Sequence, residues 1–364
     1  MTRTAAIDLS EAVPGDRLAT LGRRPSISVL VILIALLLGG LIAGHLLTPA
    51  EQGPPANDRA VYLRLIDDLR RGEPYYAAVV REHRLGDYPL RPFITVRPPT
   101  LAVAMAALSD AGARQLAIEV LAVAVVAAWG WRLRSALYRP FDWVLAVMAI
   151  AAATIPAFMA YGYVLHELWA GELLALSLAI HAPRRWPISV GVALVALAVR
   201  ELSAPFFLAM GVLAWRDGRR GEALAWAGGL AVFVLAMAWH ASRVAALVRP
   251  GDIPSPGWLA LGGWKFVLLS MRWNPALLIA PNWFAAVLAP LVVLGLAGSR
   301  GPLAERLCLV VGGYAFAFLF VGRDNNAYWG LMITPLWAVA LLNVRPALTD
   351  LLAGLSKPIA KTGA

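Results

Sequence analysis

Beyond residue 113 the chain is a succession of apolar stretches whose breaks are too short to hold a folded soluble unit. They lie near 114–133, 142–163, 166–182, 187–201, 203–215, 222–246, 283–298, 306–322 and 327–344, and one more, at 28–48, precedes them. A helix needs about 20 apolar residues to cross a ~30 Å hydrocarbon core, where lipid offers a bare backbone no hydrogen-bond partner. The expected fold is therefore all-α, a polytopic transmembrane bundle of about ten spans. Composition agrees: 60% of the 364 residues are hydrophobic and 15% charged, too few polar groups to cover a surface facing water. The segments 187–201 and 203–215 are short and meet at Arg200-Glu201, which reads as one broken hairpin.

The apolar run of 28–48 is too long for a cleaved signal peptide and is expected to stay as an anchor. This divides the chain into a cytoplasmic tail (1–27), a membrane domain (28–345) and a second cytoplasmic tail (346–364). Two long polar segments interrupt the membrane domain, 49–113 and 247–282, each expected to carry interfacial helices. Arginine placement sets the orientation. Short loops holding Arg132, Arg134, Arg139, Arg184, Arg185, Arg216, Arg219, Arg220, Arg300 and Arg306 fall on one side, with Arg345, Lys357 and Lys361. That side is the cytoplasm, so both termini are inside and the long segments face the periplasm of a bacterial inner membrane. Within 247–282, Trp258, Trp264, Trp273 and Trp283 alternate with Lys265 and Arg272, the pattern of a helix lying at headgroup level, either as a simple anchor or as a platform beside a lipid-substrate groove.

Several chemistries are excluded or unsupported. A single cysteine, Cys308, rules out an internal disulfide and a cysteine zinc site. The five histidines show no metal-ligand spacing, no metal site is expected, and no nucleotide or redox cofactor is implied. The net charge of +10 suits cytoplasmic arginines against anionic lipid better than nucleic acid, for which no compact basic domain exists.

Charges inside a span cost about 2.5–3.5 kcal/mol each on insertion scales, so each needs a reason. Asp58 stands at the start of a helix-periodic run, 58–70, where it serves either as an N-cap or as a chemical group. His166-Glu167 opens the fourth span, with Glu172 further in; Glu167 is either a solvated residue favoured by the helix dipole or a site residue. Arg200-Glu201 is either a local ion pair or part of a site. Arg323-Asp324-Asn325-Asn326-Ala327-Tyr328-Trp329 forms a polar turn, suited to sugar or phosphate or simply to an interface capped by aromatics.

These residues together resemble the GT-C superfamily of membrane glycosyltransferases, and in it the protein O-mannosyltransferase and lipid A aminoarabinose-transferase branch. Asp58, Tyr62 and Gly72 match its acid, tyrosine and glycine after the first span. Arg97-Pro98-Pro99 matches its lysine-proline-proline element, with arginine for lysine. Glu167 stands where the branch has an acid, and Arg200 where it has a basic residue. The usual acidic pair is Asn57-Asp58 here, and the resemblance covers about the first 215 residues. It implies an inverting transferase that moves a sugar from a polyprenyl-phosphate donor to a cell-surface acceptor on the outer side. Asp58 would be the base and Glu167 a second catalytic group that orients the acceptor or helps hold a divalent ion. Tyr62, Arg97, His166, Arg200, Glu201, Arg323, Asp324, Asn325 and Tyr328 would bind substrate. Asp58, Arg97, Glu167 and Arg200 should then line one cavity. The rival classes are a flippase for lipid-linked saccharides, which needs charges near the midplane, a polysaccharide ligase or polymerase, and a non-catalytic assembly protein.

Overall fold

The computed structural model describes residues 18–45, 56–134, 140–274, 277 and 279–358. Among them the chain is helical throughout, with no named strand. The α-helices in chain order are α1 (Arg23–His45), α2 (Ala56–Arg70), α3 (Tyr75–Leu85), α4 (Thr100–Ala107), α5 (Ala111–Leu133), α6 (Pro140–Thr154), α7 (His166–Ile180) and α8 (Trp186–Val199). They continue with α9 (Ala204–Arg216), α10 (Arg220–Ala245), α11 (Gly263–Met271), α12 (Asn282–Gly298), α13 (Pro302–Phe318), α14 (Thr334–Ala340) and α15 (Val344–Leu355). The first tail falls mostly outside the described residues, as do Arg139 and Lys361.

Among the described residues, five helical stretches are long and apolar enough to cross a membrane: Arg23–Ala43, Ala111–Leu133, Pro140–Phe158, Arg220–Ala245 and Thr334–Leu355. Their outer faces carry large apolar side chains, such as Val31, Ile32 and Ile42 on α1 and Val232, Leu235 and Trp239 on α10, all exposed. An apolar face of that extent is incompatible with water and suits lipid. Inside, α7 packs between α5 and α8, α9 lies along α10, and α12 is clasped by α1 and α15.

Local sequence explains several boundaries. Asp110 caps α5 by accepting from the Ala113 amide at 2.9 Å. At the other end of the bundle Arg132 donates to the carbonyls of Leu178 and Ala179 at 3.3 and 3.0 Å. These belong to the last turn of α7, whose carbonyls have no partner within the helix. Arg132 and Arg306 read as loop charges in the sequence, yet both are buried, Arg132 against the end of α7 and Arg306 with the Pro302 carbonyl at 2.7 Å and Asp217 at 3.6 Å.

Three further expectations change. The segment 324–332 is not the start of a regular span but a run of 3-10 helix, followed by helical backbone through α14 and α15. Residues 344–355, read as mostly tail, form an amphipathic helix whose Ala347, Leu351 and Gly354 are buried. Helix α11 does not lie at a surface: Phe266 to Met271 are all buried, and the Trp264 indole donates to the Leu36 carbonyl of α1 at 3.0 Å. Its aromatics therefore serve internal packing.

Two glycines bring backbones together at the site. A Cβ on Gly171 of α7 would sit 2.1 Å from the Leu331 carbonyl oxygen, and one on Gly330 would sit 1.8 Å from that of Ser270. Only glycine lets α7 and α11 lie directly on the 324–332 run, which carries Tyr328 and Trp329 to the cavity.

Candidate functional site

At the end of the bundle that carries α2 and α3 lies a cavity of about 580 Å³. That is within the range of sites that take a small-molecule ligand, roughly 300–1,000 Å³. Its wall includes Asp58, Tyr62, His83, Tyr88, Arg97, Arg200, Glu201, Trp258, Arg323, Asn325, Asn326, Tyr328 and Trp329. Behind Tyr62 and Arg97 a narrow extension is lined by His166 and Glu167, with Asp58, Arg97 and Tyr328 shared between the two spaces.

The charged groups are arranged in two parts. Arg97 and Arg200 interleave with Glu167 and Glu201. Arg200 Nε lies 2.6 Å from Glu167 Oε1 and pairs with Glu201, while Arg97 reaches Glu167 at 3.6 Å and Glu201 at 3.4 Å. This ring of two cations and two anions forms because α8 stops at Val199 and α9 starts at Ala204, so the break turns Arg200 and Glu201 toward α7. Arg323 stands apart: among the described residues no carboxylate pairs with it, and its Nε has no hydrogen-bond partner.

Asp58 lies in the first turn of α2 and is not its N-cap; its carboxylate accepts a hydrogen bond from the Tyr88 hydroxyl. Burial raises its pKa above the ordinary aspartate value, while the Tyr88 hydrogen bond and the Arg97 charge pull the other way. His83 is held neutral, its pKa lowered to about 4 by burial, and its Nδ1–H donates to the Pro89 carbonyl at 3.1 Å. Arg97 is held from its backbone. The Tyr75 hydroxyl donates to the Arg97 carbonyl, and His240 of α10 donates from Nε2 to the preceding carbonyl, that of Val96, at 3.0 Å. Tyr76 donates to His240 Nδ1 at 3.0 Å, which fixes the imidazole tautomer.

The sequence candidates divide accordingly. Asp58, Tyr62, Arg97, Arg200, Glu201, Arg323, Asn325 and Tyr328 line the main cavity. Glu167 and His166 line only the extension; the Glu167 carboxylate is taken up by the two arginines, and the His166 ring packs 4.9 Å from that of Tyr62. Asp324 lines neither space and is paired with Lys265 at 2.6 Å. His83 and Tyr88 are not site candidates in the sequence, whereas Asn326 and Trp329 belong to the polar turn read there as suited to sugar or phosphate, and Trp258 to the tryptophan series of 247–282. Tyr88 had a weak signal: it follows Gly86-Asp87, a turn in which Asp87 takes φ +56°, after a helix of recognisable period.

A second cleft, of about 70 Å³, lies among α11, α12 and α13 and has no ionisable side chain in its lining. Among the described residues no group of three or more His, Cys, Asp or Glu is placed to hold a metal ion.

Fold and site together define a helical protein with membrane-length apolar helices and a charged cavity at one end of the bundle. No protein-family model, curated protein or solved structure matches the chain.

Proposed function

We propose that the protein is a membrane glycosyltransferase of about ten spans, GT-C-like, that uses a polyprenyl-phosphate-linked sugar and a cell-surface acceptor on the outer side of a bacterial inner membrane. The observation that carries the reading is one cavity whose wall holds a carboxylate that, among the described residues, is hydrogen-bonded by a tyrosine and by no arginine, together with three arginines.

In the transfer, Asp58 takes the proton of the acceptor hydroxyl as its oxygen attacks the anomeric carbon. The bond from that carbon to the phosphate oxygen breaks on the opposite face, and the departing phosphate keeps the electron pair. Arg323, with no carboxylate of its own, is the group best suited to that developing charge. Arg97 and Arg200 are already balanced by Glu167 and Glu201, so their role is to shape the wall and add a lesser attraction. Glu167 accordingly positions the two arginines rather than the acceptor. Asn325 and Asn326 supply amide donors and acceptors, and Trp258, Tyr328 and Trp329 supply aromatic faces, a set suited to a sugar ring.

The test is transfer from a panel of labelled polyprenyl-phosphate sugars by purified protein in liposomes. Turnover with one donor class supports the assignment; none with any donor removes it. A second reading, movement of the intact lipid-linked sugar across the membrane, is favoured by Glu172, which is buried within α7 with neither carboxylate oxygen hydrogen-bonded. Donor appearing in the opposite leaflet without transfer would select that reading.

The pH profile provides a further check on Asp58. A base works only when ionised, so the rate falls as pH drops through its pKa. Burial raises that pKa, so the fall is expected above the ordinary aspartate range, near pH 4. Tyr88→Phe removes a hydrogen bond that lowers it, so the acid limb should move to higher pH. A limb unchanged in Tyr88→Phe, or moved to lower pH, would assign it to another group.

A further inference from the structure

One edge of the cavity is built from bridged extended segments rather than from helix. Residues 257–262 run antiparallel to 319–322, joined by a Leu259–Val321 bridge and by hydrogen bonds from the Gly322 amide to the Trp258 carbonyl (2.8 Å) and from the Ala260 amide to that of Phe320 (3.2 Å). Trp258 and Val321 of this pair line the cavity. Its tip is strongly apolar and uncovered: Leu259 is 91% exposed and Leu261 83%. Phe320, whose carbonyl accepts from the Ala260 amide, is itself exposed, as is Phe316 in the last turns of α13.

We propose that this pair of segments is a hydrophobic lip that dips into the outer leaflet and receives the hydrocarbon chain of the lipid-linked substrate. The occupant is argued from continuity. Phe316 of α13 and Phe320 just past its end form an exposed apolar side, and Leu259 and Leu261 extend it from the hydrogen-bonded pair of segments up to the cavity wall. The Lys265–Asp324 ion pair, both side chains part-exposed, provides a polar group nearby for the headgroup layer. A two-segment ladder leaves unpaired backbone groups on its edges, which the hydrocarbon centre does not tolerate, so the lip belongs at the boundary of the acyl region. A substrate whose phosphate and sugar occupy the cavity then leaves its tail beside Trp258, in lipid. The insertion stands on the exposed surface alone; the tail-receiving role rests on the transferase reading.

The test separates these two. Leu259→Cys, Leu261→Cys and a control at the α2–α3 turn, Arg71→Cys, are spin-labelled in a Cys308→Ala background and reconstituted in lipid nanodiscs. Labels at 259 and 261 should be reached by dissolved oxygen and shielded from a water-soluble nickel chelate, with the reverse at 71. Equal access of the chelate at all three positions overturns the insertion. Spin–spin broadening at 259 and 261 also overturns it, by showing that a second copy covers the lip. In the kinetic arm, Leu259→Asp/Leu261→Asp should raise KM at least tenfold for a long-chain donor and leave a short, water-soluble donor unchanged. An equal effect on both donors overturns the tail-receiving role. Should the parent protein use no such donor, the transferase reading and the tail-receiving role fall together, while the labels still decide the insertion.

Discussion

Replacing Asp58 by asparagine is expected to lower sugar transfer by about 100-fold or more, at the lower end of what a general base contributes. The substitution keeps size and shape and retains an oxygen able to accept from Tyr88, so the first turn of α2 should stay in place. What it removes is the group that accepts the acceptor's proton. Asp58 is only partly buried and makes no ion pair within salt-bridge distance among the described residues, so no compensating charge is stranded by its loss. Melting temperature and detergent-solubilised yield should match the parent protein. Turnover equal to the parent would remove Asp58 from the chemistry and leave Glu201, the other carboxylate on the cavity wall, as the candidate base.

The largest effect on stability is expected at Arg200. This side chain is 1% exposed and sits between Glu167 and Glu201. Arg200→Met leaves those two carboxylates with only Arg97, at 3.6 and 3.4 Å. Breaking a buried ion pair from one side costs about 3–5 kcal/mol, because the partner's charge stays buried without compensation. Methionine fills much of the volume, so the loss should be electrostatic rather than a cavity effect. Adding Glu167→Gln to Arg200→Met should then recover a substantial part of the loss, since the stranded charge is gone. Thermal unfolding of the two single variants and the double variant measures this. Strict additivity would show that Arg200 and Glu167 are not coupled and would sink the ring as a unit.

The contrast between these residues shows how far the sequence could be read. Apolar runs such as Arg23–Ala43 and Ala111–Leu133 are legible because a lipid-facing helix needs an unbroken series of apolar side chains, and such a series is a local property. The break at Arg200-Glu201 is legible for the same reason: two adjacent charges inside an apolar stretch interrupt it. Asp58, Arg97 and Arg200 were likewise visible as charges whose position demands an explanation, and the structure brings all three to one cavity.

Tyr88 and His83 carried no comparable signal, since a tyrosine or a histidine in a polar segment is ordinary wherever it occurs. Their place on the cavity wall depends on contacts far along the chain. Tyr88 reaches Asp58 across 30 residues, and the Val96 carbonyl beside Arg97 is held by His240, 144 residues away. The same distance effect turned α11 inward. Its tryptophan and lysine look interfacial in isolation, but α1 and the 324–332 run supply the neighbours that bury Phe266 to Met271.

The sequence by itself thus determined that the chain is helical and apolar enough for a membrane, and which charges stand in costly places, because both follow from residue type and local spacing. Only the tertiary structure decided how those charges pair. Four helices and two loops had to meet before Glu167 could be engaged by Arg200 and Arg97, Asp324 drawn away to Lys265, and Arg323 left with no carboxylate partner among the described residues. Pairing depends on distances of a few ångströms between groups far apart in the chain, and no spacing along the backbone encodes them.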